Sequence, residues 1–321
     1  MTGFAHVEQS GSVSGPPTGW DYFVDRGFRG LAVAGAWLLL LLLAAILWEI
    51  GHKAAPGIRD HGLTFLTTAT WDVNKHVYGI LPQIWGTLYS SILALLIGGF
   101  FGVTMAVFLT QDFLPPRLAQ VFRTIVELLA AIPSVVYGLW GIFVVIPAIR
   151  PLANWLHETL GWIPFFSTSL SGPGMLPAAI VLAIMVLPTV AAVSQDALTL
   201  IPYKVKEAAY GLGTTRWEAI LRVLLPTART GIFGALVLGF GRALGETMAL
   251  AMLVGNSNQI TLSLFSPANT LAALLALSFP EAGPLDVQAL MYAALVLLAI
   301  TLLVNIIGAA IMSYASRGVK K

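Results

Sequence analysis

Long runs without charge separate six stretches of the chain from everything between them. Residues 31–47 (extending to Ile50), 84–109, 126–149, 175–193, 231–255 and 287–314 are apolar over most or all of their length. A helix crosses about 30 Å of hydrocarbon with roughly 20 mainly apolar residues, so each stretch predicts a transmembrane helix. A seventh run, 271–277, lies between Pro267 and Pro280 and is too short to cross. It predicts an interfacial or re-entrant helix. The expected fold class is therefore all-α and integral to the membrane, with six transmembrane helices.

Composition narrows this further. Hydrophobic residues make up 57% of the 321 positions and charged residues 10%, where a soluble domain carries roughly 25% charged. That leaves too few polar side chains to coat a water-soluble particle, and it excludes disordered and collagen-like chains. The chain has no cysteine, which excludes disulfide scaffolds, thiolate catalysis and Cys-ligated metal sites. A net charge of +2 is too small to imply a nucleic-acid partner. Its distribution is more informative. Twelve of the 17 basic residues fall in the N-terminal tail, the second and fourth loops and the C-terminus, and only Lys53, Arg59, Lys75 and Arg150 fall in the other loops. This asymmetry predicts a multi-pass protein of a bacterial inner membrane with both termini cytoplasmic. Residues 1–25 read as a disordered tail and 26–82 as a first, uncleaved span with an external loop. Residues 83–314 form the main membrane domain, and 315–321 a cytoplasmic C-terminus.

The fourth loop, 201–226, has the most local detail. Pro202 suits the first turn of a helix, Val205, Ala208, Ala209 and Leu212 follow at helical spacing, and Gly213 supplies a stop. Thr215-Arg-Trp-Glu218 reads as a capping box opening a second helix. Trp217, Ile220, Leu221 and Leu224 line one face of that helix, and Pro226 is expected to end it. The prediction is a helix–Gly–helix hairpin. Floating on lipid headgroups would be its plainest role. Its sequence, Glu207-Ala-Ala-Tyr-Gly-Leu-Gly213, nine residues, then Val223-Leu-Leu-Pro226, resembles the EAA signature of ABC importer permeases.

Two further stretches narrow the resemblance. Residues 127–141 (ELLAAIPSVVYGLWG) and 239–248 (GFGRALGETM) are similar to the phosphate importer permeases, and the segment 62–72 and the early first span point to the PstC type. The resemblance covers about residues 25–315. It implies a type I ABC importer permease fold and a role in ATP-driven phosphate import across the membrane. It also implies a second, PstA-type permease, a homodimeric PstB-type ATPase and an external PstS-type phosphate-binding protein. The hairpin would then be the coupling element, through Glu207, Ala208, Ala209, Gly213, Arg216 and Trp217. A permease for another oxyanion such as sulfate or molybdate, and a self-contained secondary transporter, are the rival readings. The second has no use for an EAA hairpin.

The residues themselves offer no catalytic constellation. All five histidines lie in the tail or external loops, and none of the six lysines follows a glycine, which excludes a Gly-Lys nucleotide loop. No cofactor is expected in this chain, and ATP and magnesium belong to the partner ATPase. Inside the membrane, Arg242 and Glu246 are spaced i, i+4 near the middle of the fifth run, where they would share a helix face. A structural ion pair is one reading. A substrate path is the other, because the guanidinium fork suits oxyanions. Gly239, Gly241 and Gly245 would either keep that surface open or pack against a neighbouring helix. Pro133 and Ser134 read as a kink, with the Ser134 hydroxyl a candidate pore-lining group. Glu127 reads as an edge charge. The aromatics of the external loops, Phe65, Trp71 and Trp162 among them, would rest at headgroup level or dock a partner.

Overall fold

The computed structural model describes residues 19–317. The tail expected at 1–25 lies outside the described residues up to position 18, and its last residues are already helical. The chain divides into two compact units, one ending at His52 and one starting at Lys53. The first unit is dominated by helix α1 (Gly19–His61), whose run Leu38–Leu43 is exposed throughout, as a lipid-facing helix requires.

The second unit is all helix and connecting loop. In chain order come α2 (Leu81–Thr110), α3 (Pro116–Ala131), α4 (Ser134–Leu160) and α5 (Met175–Thr199). Then follow α6 (Tyr203–Gly211), α7 (Arg216–Leu244), α8 (Met248–Leu253), α9 (Leu271–Ser278) and α10 (Pro284–Arg317). Among the described residues, α1, α2, α4, α5, α7 and α10 carry the six segments long and apolar enough to cross a membrane.

Helix α5 is the centre. It is the most buried of the six spans, packed between α2 and α7. Small residues allow this. A Cβ on Gly98 would stand 2.5 Å from the Ala183 carbonyl oxygen, and one on Gly102 would meet Val190 at 2.9 Å. Gly98 and Gly102 are one turn apart, the spacing by which glycines let membrane helices approach backbone to backbone. Around this contact Val181, Leu182, Val186 and Val190 form the core with Ala94 and Ala235.

Three expectations need correction. The third crossing is not one helix over 126–149. It breaks where Ile132 and Pro133 turn extended (ψ 128° and 141°), because proline has no N–H to give and pushes the preceding residue out of helix. Glu127 therefore rides on α3, exposed, one turn before that helix ends. The fifth crossing starts earlier than 231, at Arg216, and stops at Leu244, with Gly245 as its cap. Pro226 does not end a hairpin arm either. A π-helical turn over Ile220–Leu224 carries the helix past it, with the Leu225 N–H donating to Ile220 O. The same device stands before Pro147, where the Ile146 N–H donates to Gly141 O. A proline ring clashes with the carbonyl four residues back, and the wider π turn moves that carbonyl aside.

At the end of the unit away from α6, the segment before α2 is held by aromatics. Phe65 is fully buried and stacks on Tyr292 at 4.4 Å. Trp71 meets the edge of Tyr78 at 5.1 Å. The Tyr78 hydroxyl donates to Asp286, and burial with that carboxylate pushes its pKa up to about 12, so it stays a donor at any working pH. Phe65 and Trp71 are thus internal packing residues. Trp162, 81% exposed, fits the expectation of a surface aromatic. Helix α9 buries Leu271 to Leu274 in protein.

The close approach at Gly98 generates a prediction. Gly98→Val should destabilise the solubilised chain by about 1–3 kcal/mol through overpacking, read as a lower melting temperature. Gly35→Val in α1, where an added Cβ meets nothing within 4 Å, should leave the melting temperature of the same chain unchanged.

Candidate functional site: a rooted hairpin and a lone intramembrane arginine

Helix α6 and the start of α7 make the hairpin. Pro202 stands just before α6, and the Leu212–Thr214 turn follows. Gly213 has φ +82°, a left-handed conformation that any Cβ would strain. The Thr214 N–H and hydroxyl both donate to Ala209 O, at 3.3 and 2.8 Å. The capping box is complete: Thr215 Oγ1 accepts from the Glu218 N–H, and Glu218 Oε2 accepts from the Thr215 N–H at 2.9 Å. The tip presents Leu212, 86% exposed, with Glu207, Ala208 and Gly213. Leu212 has no packing partner within this chain.

Of the six hairpin residues singled out from sequence, three point elsewhere. Ala209 is buried and turned into the hairpin. The Arg216 guanidinium lies 5.2 Å over the Phe113 ring and donates to Asp112 O at 3.4 Å. Trp217 packs on the same Phe113 ring, 5.2 Å between centroids. Arg216 and Trp217 therefore fasten the hairpin to the turn after α2. Beneath them Ala106 and Val107 of α2, Leu198 and Ile201 at the end of α5, and Ile220 and Leu224 of α7 form one buried cluster. The hairpin is rooted in the ends of three spans. Sequence reasoning missed Phe113, whose signal was an aromatic in a two-proline turn.

Arg242 lies in the last turn of α7 and is exposed, while Glu246 is partly covered. They do not share a helix face, because α7 stops at Leu244 between them. Among the described residues no ion pair joins them. Glu246 Oε1 instead accepts from the Ala249 N–H at 3.4 Å, at the start of α8. Arg242 turns to α5, where its Nη1 donates to Thr189 Oγ1 at 3.1 Å. Thr189 had no motif to mark it. It lies ten residues before the hairpin end of α5, roughly 15 Å along a helix that rises 1.5 Å per residue, so the guanidinium meets α5 within its membrane-spanning length. Tyr137 is an electrostatic neighbour of Arg242, and its hydroxyl is committed to Leu129 O at 2.8 Å. Ser134, half-buried, opens α4 beside the Pro133 break.

The glycines divide. Gly239 packs on Val186 and Val190, and Gly241 faces Asn305, whereas Gly245 meets only carbonyls of its own helix end. Packing explains the first two. Gly245 marks the break that leaves Arg242 near a helix terminus, where backbone carbonyls favour a cation.

Comparison with known proteins follows from this geometry. Residues 98–321 match the family model described as binding-protein-dependent transport system inner membrane component. The phosphate transport system permease protein PstC of Haemophilus influenzae is 40% identical over 293 residues, covering 89% of this chain and 92% of that one. The PstC of Mesorhizobium japonicum is 38% identical over 286 residues, 87% of each. A probable PstC of Methanocaldococcus jannaschii is 36% identical over 289 residues, covering 88% and 91%. Among solved structures, a bacterial alginate ABC transporter, solved with a periplasmic protein bound to an alginate pentasaccharide, aligns over 91% of this chain and 96% of that chain. Its TM-score is 0.61 at 19% identity. The inward-facing MetNI methionine ABC transporter aligns over 74% and 95%, with a TM-score of 0.55 at 19% identity. At that identity the structural likeness establishes the fold, a type I ABC importer permease.

The burial pattern of the hairpin can be measured. In the cysteine-free chain, Ala208→Cys should react with a water-soluble maleimide roughly tenfold faster than Ala209→Cys, since thiol reactivity follows exposure. Equal rates would mean that the hairpin does not fold as described.

Proposed function

The chain belongs to the binding-protein-dependent transport system inner membrane components and, among them, to the PstC phosphate permeases; on that premise we propose that it forms half of an ATP-driven path for inorganic phosphate. It is a permease of an ABC transporter, and its family is not a catalytic one. The other half would be a PstA-type permease. A PstB-type ATPase dimer would bind ATP and magnesium against the hairpin, and a PstS-type protein would deliver phosphate from outside. The excess of lysine and arginine on the hairpin side supports cytoplasmic termini.

The observation that carries this reading is Arg242. A charged side chain in a membrane-spanning helix is costly against lipid and belongs on a protein or water-lined face. Arg242 keeps that charge exposed, with one donor on Thr189 and no carboxylate on it among the described residues. Such a group suits a water-filled path crossed by an anion. Phosphate near neutral pH carries roughly −1.5 charge, like a phosphate ester, so one guanidinium leaves part of it unbalanced. The partner permease is expected to add a cation. Closure of the ATPase would push the hairpin, and the cluster rooting it in α2, α5 and α7 would pass that displacement to the helices around Arg242. Ser134 is a further candidate for the path. Glu246, which accepts from the Ala249 N–H in α8, acts in this reading on the break and not on the anion.

Reconstituted vesicles containing the whole complex test it. Arg242→Gln should lower labelled phosphate uptake at least about a hundredfold with the complex still assembled, the scale of losing a charged contact worth 2–5 kcal/mol. Uptake at the wild-type rate would remove Arg242 from the path. Gly213→Pro should leave membrane insertion intact and uncouple ATP hydrolysis from uptake. An Ala208→Cys chain should cross-link to the ATPase subunit. Labelling of that cysteine by lipid-phase reagents alone would return the hairpin to the headgroups.

A further inference from the structure

We propose that Thr189 is a second phosphate-binding group, a hydroxyl from α5 that acts together with Arg242. The inference rests on the reading of Arg242 as the cation facing the anion.

A threonine hydroxyl has one proton to donate and two lone pairs to accept with. Inside a helix it usually spends the proton on the carbonyl one turn back. In this protein Thr87, Thr104, Thr110, Thr199 and Thr227 all do so, at 2.6 to 2.8 Å. Thr189 departs from them. Among the described hydrogen bonds its hydroxyl donates to nothing, and its oxygen accepts from Arg242 Nη1 at 3.1 Å. Its proton is therefore uncommitted, on a partly covered side chain beside an exposed guanidinium. The Tyr137 hydroxyl nearby is already bonded to Leu129 O.

An uncommitted O–H one hydrogen bond away from guanidinium N–H groups makes a convergent donor set. A tetrahedral oxyanion can take two oxygens to such a set, one on the fork of Arg242 and one on Thr189. The hydroxyl also has a second lone pair. It can accept a hydrogen bond from the O–H that much of the phosphate retains near neutral pH, which a set made of cations alone cannot do. The two groups come from different helices, and both helices end in the cluster beneath the hairpin: Leu198 belongs to α5, Ile220 and Leu224 to α7. A hairpin displacement that moves α7 against α5 would part or join the donor set, and so change affinity for the anion during the cycle.

The test uses the assembled transporter in vesicles, with inorganic phosphate as the probe. Thr189→Val keeps the shape and removes the hydroxyl. It should lower phosphate moved per ATP hydrolysed by roughly tenfold or more, the scale of one lost hydrogen bond to a charged group. Thr189→Ser should recover most of that loss. A second measurement uses Thr189→Cys in this otherwise cysteine-free chain. Phosphate should slow its labelling by a small water-soluble thiol reagent, an effect that a purely structural threonine would not produce. Wild-type coupling in Thr189→Val, an equal loss in Thr189→Val and Thr189→Ser, or labelling indifferent to phosphate would each overturn the proposal. If Arg242→Gln fails in the same assay, such a result removes Thr189 alone. If Arg242→Gln also transports normally, the path reading has failed, and this inference with it.

Discussion

With no water in a bilayer core, every backbone N–H and C=O that leaves a helix there must find a partner in the protein, and this governs the architecture. The chain leaves helical geometry within its membrane domain at Ile132–Pro133, at Gly245–Thr247, and along the irregular segment 254–270. Much of this backbone is bonded within the protein. The Gly245 and Glu246 N–H groups donate to Arg242 and Ala243 carbonyls. The irregular segment takes donors from the start of α5, with Gly174 on Leu253 O, Met175 on Ser266 O and Leu176 on Leu264 O. Trp85 and Tyr89 of α2 donate to Thr261 and Leu262 carbonyls. A membrane domain can hold such backbone only where neighbouring helices enclose it. The broken segments therefore pack against one another, with Gly138 and Gly141 of α4 making room for Met252 and Leu253 of α8.

That enclosure explains where the chemistry lies. A continuous fifth span would have set Arg242 and Glu246 on one face as a self-neutralising pair. The stop at Leu244 separates them, gives Glu246 to the start of α8 and turns Arg242 to Thr189 on the central helix. The arginine is left with donors to spare at a depth where a charge is expensive.

The hairpin obeys a different logic. It is short, its turn rests on one left-handed glycine, and its tip leaves Leu212 exposed. Its stiffness comes from its roots. Arg216 and Trp217 clasp Phe113, and the cluster beneath joins three spans. The π turns before Pro147 and Pro226 let helices run on through prolines that would otherwise kink them.

Much of this was legible in the residues. Hydrophobic run length sets the number of spans because hydrocarbon thickness is fixed, and it holds without knowledge of neighbours. The capping box and the left-handed Gly213 are equally local, each settled by a few adjacent atoms. What the linear pattern could not show was where an apolar run ceases to be helix. Residues 126–149 and 231–255 are apolar on both sides of their breaks, so hydropathy is blind to Pro133 and Gly245, and whether such residues kink, stop or merely pack a helix depends on what encloses them. The same holds for single side chains. Ala208 and Ala209 are identical in kind, yet one faces out and the other in. Phe65 and Trp162 are both loop aromatics, yet one is core and the other surface. Thr189 carries no signature at all, because its role arises only when α5 and α7 bring it to Arg242.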